Sequence, residues 1–350
     1  MKILIVTDAW MPQINGVVRT LQMTVRELQA LGHEVDLLSP DLFRSIPCPG
    51  YAEIRLALAS RRTVRRRMLA VAPDALHIAT EGPLGLHARA VALENGWPFT
   101  TAYHTRFPEY LRARWPIPLP VSYAFLRRFH DAGVATLAAT PAIVEDLRAH
   151  GFAAPRVWSR GVDTVLFNPD GPREPRGDAP VFLHVGRIAV EKQVDEFLKL
   201  DLPGEKWVVG DGPERARLQA AYPQARWFGA LQGEALARVF RSADVKVFTS
   251  VTDTFGLVLI EAMASGTPVA ALPVPGPIDV VGGSDGGALD ADLRQACLAA
   301  LALPRAAARA HAMTFSWAAA TRQFLDAQSL IERAGAACER ALEASTSTST

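Results

Sequence analysis

The stretch that most constrains the fold is Thr252-Asp253-Thr254-Phe255-Gly256-Leu257-Val258-Leu259-Ile260-Glu261-Ala262-Met263-Ala264-Ser265-Gly266-Thr267-Pro268-Val269. It follows Val245-Lys246-Val247-Phe248-Thr249, whose β-branched and aromatic content reads as a strand. Leu257, Leu259, Ile260 and Met263 then recur at helical spacing. A buried strand that turns straight into a helix is the repeating unit of a doubly wound parallel sheet. Gly256 lets the backbone come close to a ligand, and the N–H groups of the first helical turn favour an anion such as a diphosphate. Ser265-Gly266 closes the helix and Pro268 opens the next strand.

Asp253 and Glu261 lie eight positions apart, one in the loop and the other about one and a half turns inside the helix. Carboxylates so placed could hold sugar hydroxyls on either side of a phosphate. Taken alone, such a pair reads more readily as a turn former and an exposed helix residue. The rest of the chain shifts that reading.

Strand and helix patterns alternate twice, which argues for two α/β units. Strands read at 3–7, 34–38, 75–79, 99–103 and 134–139, and again at 181–185, 207–209, 245–249 and 269–272. Between the two sets, residues 163–178 replace periodicity with Pro, Gly and charge and read as a linker. The expected organisation is a first domain over 1–165, a second over 178–314, a terminal helix over 315–342 and a disordered tail over 343–350. With 350 residues and 49% hydrophobic content the chain is long enough for a core in each half.

Three further stretches carry chemistry. In Val185-Gly186-Arg187-Ile188-Ala189-Val190-Glu191-Lys192, Arg187 and Lys192 at the end of a strand can clamp a diphosphate as its bond to a sugar breaks. In Gly210-Asp211-Gly212-Pro213, two glycines suit a tight turn with Pro213 at the first helical position. In Trp10-Met11-Pro12-Gln13-Ile14-Asn15-Gly16, Gly16 would let backbone N–H groups approach a phosphate from the first half. His104 in Tyr103-His104-Thr105-Arg106 and Glu81 in Glu81-Gly82-Pro83 also end first-half strands. Glu81 is expected to line the acceptor side of a site that these strand ends share.

Together these stretches resemble the large retaining glycosyltransferase family 4, in which two acids flank a Phe-Gly pair at the donor site. Asp253 stands where the family carries Glu, and Asn15 replaces one glycine of its usual pair. The resemblance implies two Rossmann-like domains facing a cleft (the GT-B fold), with the terminal helix crossing back to the first domain. It implies that Asp253 touches the transferred sugar and Glu261 the ribose, that Phe255, Gly256, Leu257, Gly16 and His104 bind the donor, and that Arg187 and Lys192 hold the diphosphate. The implied reaction moves a hexose with retention from a UDP- or GDP-linked sugar, a co-substrate rather than a cofactor. No metal is expected, the two cations serving in its place.

Residues 1–165 carry 19 Lys plus Arg against 14 Asp plus Glu, so a net +1 hides a basic first half. Arg61, Arg62, Arg65, Arg66 and Arg67 lie beside Val64, Met68 and Leu69 on an amphipathic pattern. Arg112, Arg114, Arg127 and Arg128 surround Trp115, Ile117, Leu119, Val121 and Phe125. Such surfaces suit anionic lipid headgroups, and no base-stacking motif favours nucleic acid. The expectation is a cytoplasmic protein peripheral on the inner membrane face, with a lipid acceptor such as diacylglycerol or a glycolipid. Neither a secretory signal nor an apolar run of about 18 residues is expected to intervene. Cys48, Cys297 and Cys338 are far apart and lack metal-ligand spacing, which points to a reducing compartment. Two other readings stay open: a sugar-nucleotide epimerase of the same fold, and a non-catalytic nucleotide-sugar-binding protein.

Overall fold

The computed structural model of the chain describes residues 1–13, 15–48, 51–114 and 117–331. The expected helix beyond Ile331, the 343–350 tail, Trp115 and Cys338 lie outside the described residues, as do the side chains of Cys48 and Arg114.

The strands are β1 (Lys2–Val6), β2 (Glu34–Leu38), β3 (Ser45–Cys48), β4 (Tyr51–Ala57), β5 (Ala75–Ile78), β6 (Thr100–Tyr103), β7 (Ala135–Ala138) and β8 (Pro155–Val157), then β9 (Val181–Val185), β10 (Glu205–Val209), β11 (Arg226–Gly229), β12 (Val245–Phe248), β13 (Val269–Ala271) and β14 (Gly287–Leu289). They form two six-stranded sheets, ordered β2-β1-β5-β6-β7-β8 and β11-β10-β9-β12-β13-β14, with β3 and β4 apart as an antiparallel hairpin. The ladders of both large sheets are parallel. Helices cover their faces, which is why β5, β6, β7, β9, β12 and β13 are buried throughout.

Strand order reverses between β1 and β5 in the first sheet and between β9 and β12 in the second. Ligands of such sheets bind outside the carboxyl ends of the strands at these switch points. The residues just beyond them are Asp8 and Glu81 in the first half, and Arg187, Lys192 and Asp253 in the second.

The segment read as a linker is irregular but tightly held. Buried Arg241 binds the carbonyls of Leu166, Asn168 and Pro172, and Phe167 is fully buried in the second core. After the second sheet the chain returns: the helix Trp317–Asp326 places Trp317, Ala320 and Phe324 against Ile3, Ile5, Leu21 and Leu28 of the first half. The outgoing and returning strands of chain touch where Val162 N–H donates to the Phe315 carbonyl at 3.3 Å. Gly161 permits that approach, because a Cβ there would lie 2.1 Å from the Trp317 nitrogen.

Candidate functional site

Arg187 follows β9 at once and is half-buried, while Lys192 ends a short 3-10 turn, Val190–Lys192. Asp253 lies five residues beyond β12, and Gly256, at φ 83°, turns the chain into the helix Leu257–Ala264. Only glycine adopts that backbone freely, and no side chain caps the helix, so its first N–H groups stay available. Lys192 Nζ donates to both carboxylate oxygens of Asp253, at 2.6 and 2.7 Å. Two groups read separately as a diphosphate clamp and a sugar contact are therefore joined as one ion pair. Burial pushes the Asp253 carboxyl up, but Lys192 outweighs it and the net displacement is downward.

Glu261, at 4% exposure, is not the solvent-facing residue that an isolated acid on a helix suggests. Its Oε1 lies 3.2 Å from a guanidinium nitrogen of Arg19, which comes from the first-half helix Gly16–Ala30. Burial raises its pKa, opposed by Arg19 and Lys246.

The 253–257 segment is also the seam between the halves. Asp253 forms an antiparallel bridge with Thr105, and Thr254 Oγ1 donates to the His104 carbonyl at 2.8 Å. Leu257 packs against the cores of both halves, and a Cβ on Gly16 would lie 3.9 Å from its side chain. Phe255 is buried and meets Phe315 edge-on at 5.9 Å. Gly16 is thus set against the helix Leu257–Ala264. Its neighbour Asn15 accepts from Val18 N–H as the helix cap at φ −152°, a position that needs no glycine.

On the first-half side, Glu81 accepts from His130 Nε2 at 3.0 Å, and buried Asp8 accepts from Thr80 and from the N–H groups of Leu84 and Gly85. Burial raises the Asp8 pKa. Asp8 thereby caps the helix behind Glu81. A groove of about 690 Å³ lined by Val190, Asp195, Glu214, Thr249 and Leu293 contains none of Arg187, Lys192, Asp253 or Glu261.

One expectation is corrected. Pro213 is not the first helical residue: the helix runs Arg215–Ala221 behind Glu214, and Gly212 is needed because a Cβ would meet the Ile188 carbonyl at 2.3 Å. The five arginines on the helix Arg61–Val71 are all exposed, opposite buried Val64 and Met68, as the amphipathic pattern predicts. Arg61 and Arg65 pair with Glu94, and Arg67 lies 5.2 Å over the Phe43 ring. Arg62 and Arg66 are exposed, with no partner among the described residues.

Three residues of the site had no reading from sequence. Arg19 and Thr254 join it only through contacts between halves, which no local pattern announces. Lys246 did leave a signal, a lysine within the buried strand Val-Lys-Val-Phe. Its ammonium donates to the Val247 carbonyl at 2.7 Å, and burial pulls its pKa down to about 7, with Asp253 and Glu261 opposing. Nearby His184 is buried with neither ring nitrogen bonded among the described residues.

The sequence model of Glycosyltransferase Family 4 matches residues 14–166, and that of Glycosyl transferases group 1 matches residues 179–303. A GDP-mannose-dependent alpha-mannosyltransferase of Mycobacterium tuberculosis (strain CDC 1551 / Oshkosh) is 32% identical over 307 residues, covering 80% of this chain and 81% of that protein. Sulfoquinovosyl transferase SQD2 of Arabidopsis thaliana is 33% identical over 301 residues, 77% of this chain and 58% of that protein. Among solved structures, sucrose-phosphate synthase from Thermosynechococcus elongatus matches with a TM-score of 0.75 at 19% identity, covering 93% of this chain and 97% of that one, a likeness of fold. The architecture is the GT-B fold. With sheets, switch points and relatives in agreement, the chain belongs to glycosyltransferase family 4 and is a glycosyltransferase.

Proposed function

We propose that the chain transfers a hexose from a UDP- or GDP-linked sugar to a lipid hydroxyl, with retention and without a metal ion. The observation that carries this reading is the clustering of Lys192, Asp253, Lys246 and Glu261 about one helix with an uncapped N-terminus at the switch point of the second sheet. Arg187, Lys192 and the helix N-terminus supply positive charge for a departing diphosphate. Asp253 and His104 would meet the sugar and Glu261 the ribose. Retention follows if the acceptor hydroxyl attacks on the face the diphosphate leaves. The oxygen bonds to the anomeric carbon, the carbon–phosphate oxygen bond breaks, and the hydroxyl proton passes to the diphosphate.

The lipid part of the reading is supported by exposed Arg62, Arg66 and Leu69, and by Val121 and Phe125 beside exposed Arg127 and Arg128. No helix among the described residues is long and apolar enough to cross a membrane, so contact would be peripheral. Labelled UDP- and GDP-hexoses, GDP-mannose first, should deliver label to the organic-soluble fraction of native membranes, undiminished by chelator and with the donor's anomeric configuration. Label only in water-soluble product would move the acceptor away from lipid, rearranged free donor would favour an epimerase, and no turnover with any donor would refute the transfer.

A further inference from the structure

Arg160 is a buried arginine with no role in the reaction as described so far. It stands three residues beyond β8 at 4% exposure, with its guanidinium 4.5 Å over the Trp158 ring. It donates to the Trp158 carbonyl, to the Ser159 carbonyl at 2.9 Å, and to Nδ1 of His104 at 3.3 Å. Among the described residues no carboxylate pairs with it, and burial lowers its pKa to about 9. Buried charges are ordinarily paired, so this one is held for what it donates to.

A guanidinium has donors and no acceptor, which decides the state of the partner ring. Nδ1 of His104 must offer its lone pair. A neutral imidazole carries one proton, so it sits on Nε2. The ring is neutral, because burial first, and then the charge of Arg160 and the neighbouring His77 and His130, hold its pKa well below the usual histidine range. Nε2 is buried and has no hydrogen-bond partner among the described residues. An orphaned buried N–H is rare in folded proteins and calls for a ligand or an ordered partner. The same residue is fixed to the seam, its carbonyl taking the Thr254 hydroxyl while Thr105 bridges to Asp253.

We propose that Arg160 is a positioning residue that holds His104 in the Nε2–H tautomer, so that the ring can only donate, to an oxygen of the transferred hexose. In that state Nε2 cannot take the acceptor's proton. The inference rests on the donor-side reading of His104 given above.

The test uses the full chain with 15N-labelled histidine, the His104 signals being assigned by their loss in His104→Gln. Long-range 1H–15N spectra should report a protonated Nε2 and a bare Nδ1 in the parent, mixed tautomers in Arg160→Met, and the parent pattern again in Arg160→Lys, which keeps a donor. In turnover, Arg160→Met should lower kcat about tenfold with donor KM changed less than about threefold. The same substitution in a His104→Ala background should change kcat less than about twofold. A proton on Nδ1 in the parent overturns the proposal, whether or not Arg160→Met folds. So does an unchanged tautomer in Arg160→Met, or an equal loss of kcat in both backgrounds. The spectra need no turnover, so failure of glycosyl transfer and failure of the Arg160 assignment come apart.

Discussion

Replacing Lys192 by alanine should cost the protein far more activity than stability, and the geometry says by how much. Its ammonium lies 2.6 Å from one oxygen of Asp253 and 2.7 Å from the other, with the two side chains 22% and 28% exposed. Exposed pairs contribute about 0.2–1 kcal/mol, and breaking a buried one costs about 3–5 kcal/mol. A pair about a quarter exposed falls between, so Lys192→Ala should destabilise by about 1–3 kcal/mol and lower Tm by roughly 1–4 °C. Part of that loss comes from Asp253, whose burial then loses the Lys192 charge and keeps only Ser250 and Lys246 against it. In the parent its folded pKa lies below its unfolded value, so its contribution is present above the ordinary 3.8 and disappears as pH falls through the folded value. Removing one preorganised charge from a site that stabilises a developing anion costs about 100- to 1,000-fold in kcat. A marginally stable protein that loses about 2 kcal/mol stays overwhelmingly folded well below Tm, so unfolding cannot account for such a loss. Adding Asp253→Asn removes the stranded charge and should recover most of the lost Tm without recovering turnover. Thermal melts and initial rates with a saturating donor measure both. A kcat within about threefold of the parent in Lys192→Ala, or recovery of turnover by Asp253→Asn, would refute the reasoning.

Lys246→Met should stabilise the protein. The amine is fully buried with its pKa pulled from 10.5 to about 7, so the charged form is penalised in the folded state alone. The penalty is complete below about pH 7 and declines as pH rises toward 10.5, because the unfolded chain then binds more protons than the folded one. At about pH 6.5 the gain should be of the order of 2–4 kcal/mol by urea unfolding and should shrink by about pH 9; a gain independent of pH would refute the assignment. Buried His77, His104 and His184 act in the same direction over a lower pH window, since burial lowers all three, His77 to about 3. As pH falls below the ordinary 6.5, the unfolded chain takes protons that the folded one refuses, so stability should drop by about 3 kcal/mol between pH 6.5 and about pH 5.5. A flat urea midpoint over that window would count against it.

Much of the double α/β plan was legible because the central strands are short apolar runs bounded by Gly, Pro or charge. Val181–Val185 and Val245–Phe248 read as strands before any coordinates. The strands that escaped are those whose sequences do not look buried. Pro155–Val157 is three residues long, Arg226–Gly229 begins at an exposed arginine, and Gly287–Leu289 is half-buried on an edge. Pairing to a neighbour, not composition, makes them strands. Local motifs brought Arg187, Lys192, Asp253 and Glu261 to notice because each sits just beyond a strand or within the helix that follows one. What no motif conveys is that Lys192 and Asp253, 61 residues apart, share a proton field, or that Arg19 reaches Glu261 from the other half. Those are properties of closure.

On the proposed reading of the site, that closure would make donor recognition an exchange of partners. Asp253 and Glu261 are each already neutralised, one by a cation of its own half and one by a cation of the opposite half. A sugar nucleotide that uses both must unfasten both, repaying the broken pairs with its own hydroxyls below and its diphosphate beside Lys192. On the proposed reading, Arg19 returning to Glu261 would compete with the ribose of the spent nucleotide and hasten its departure.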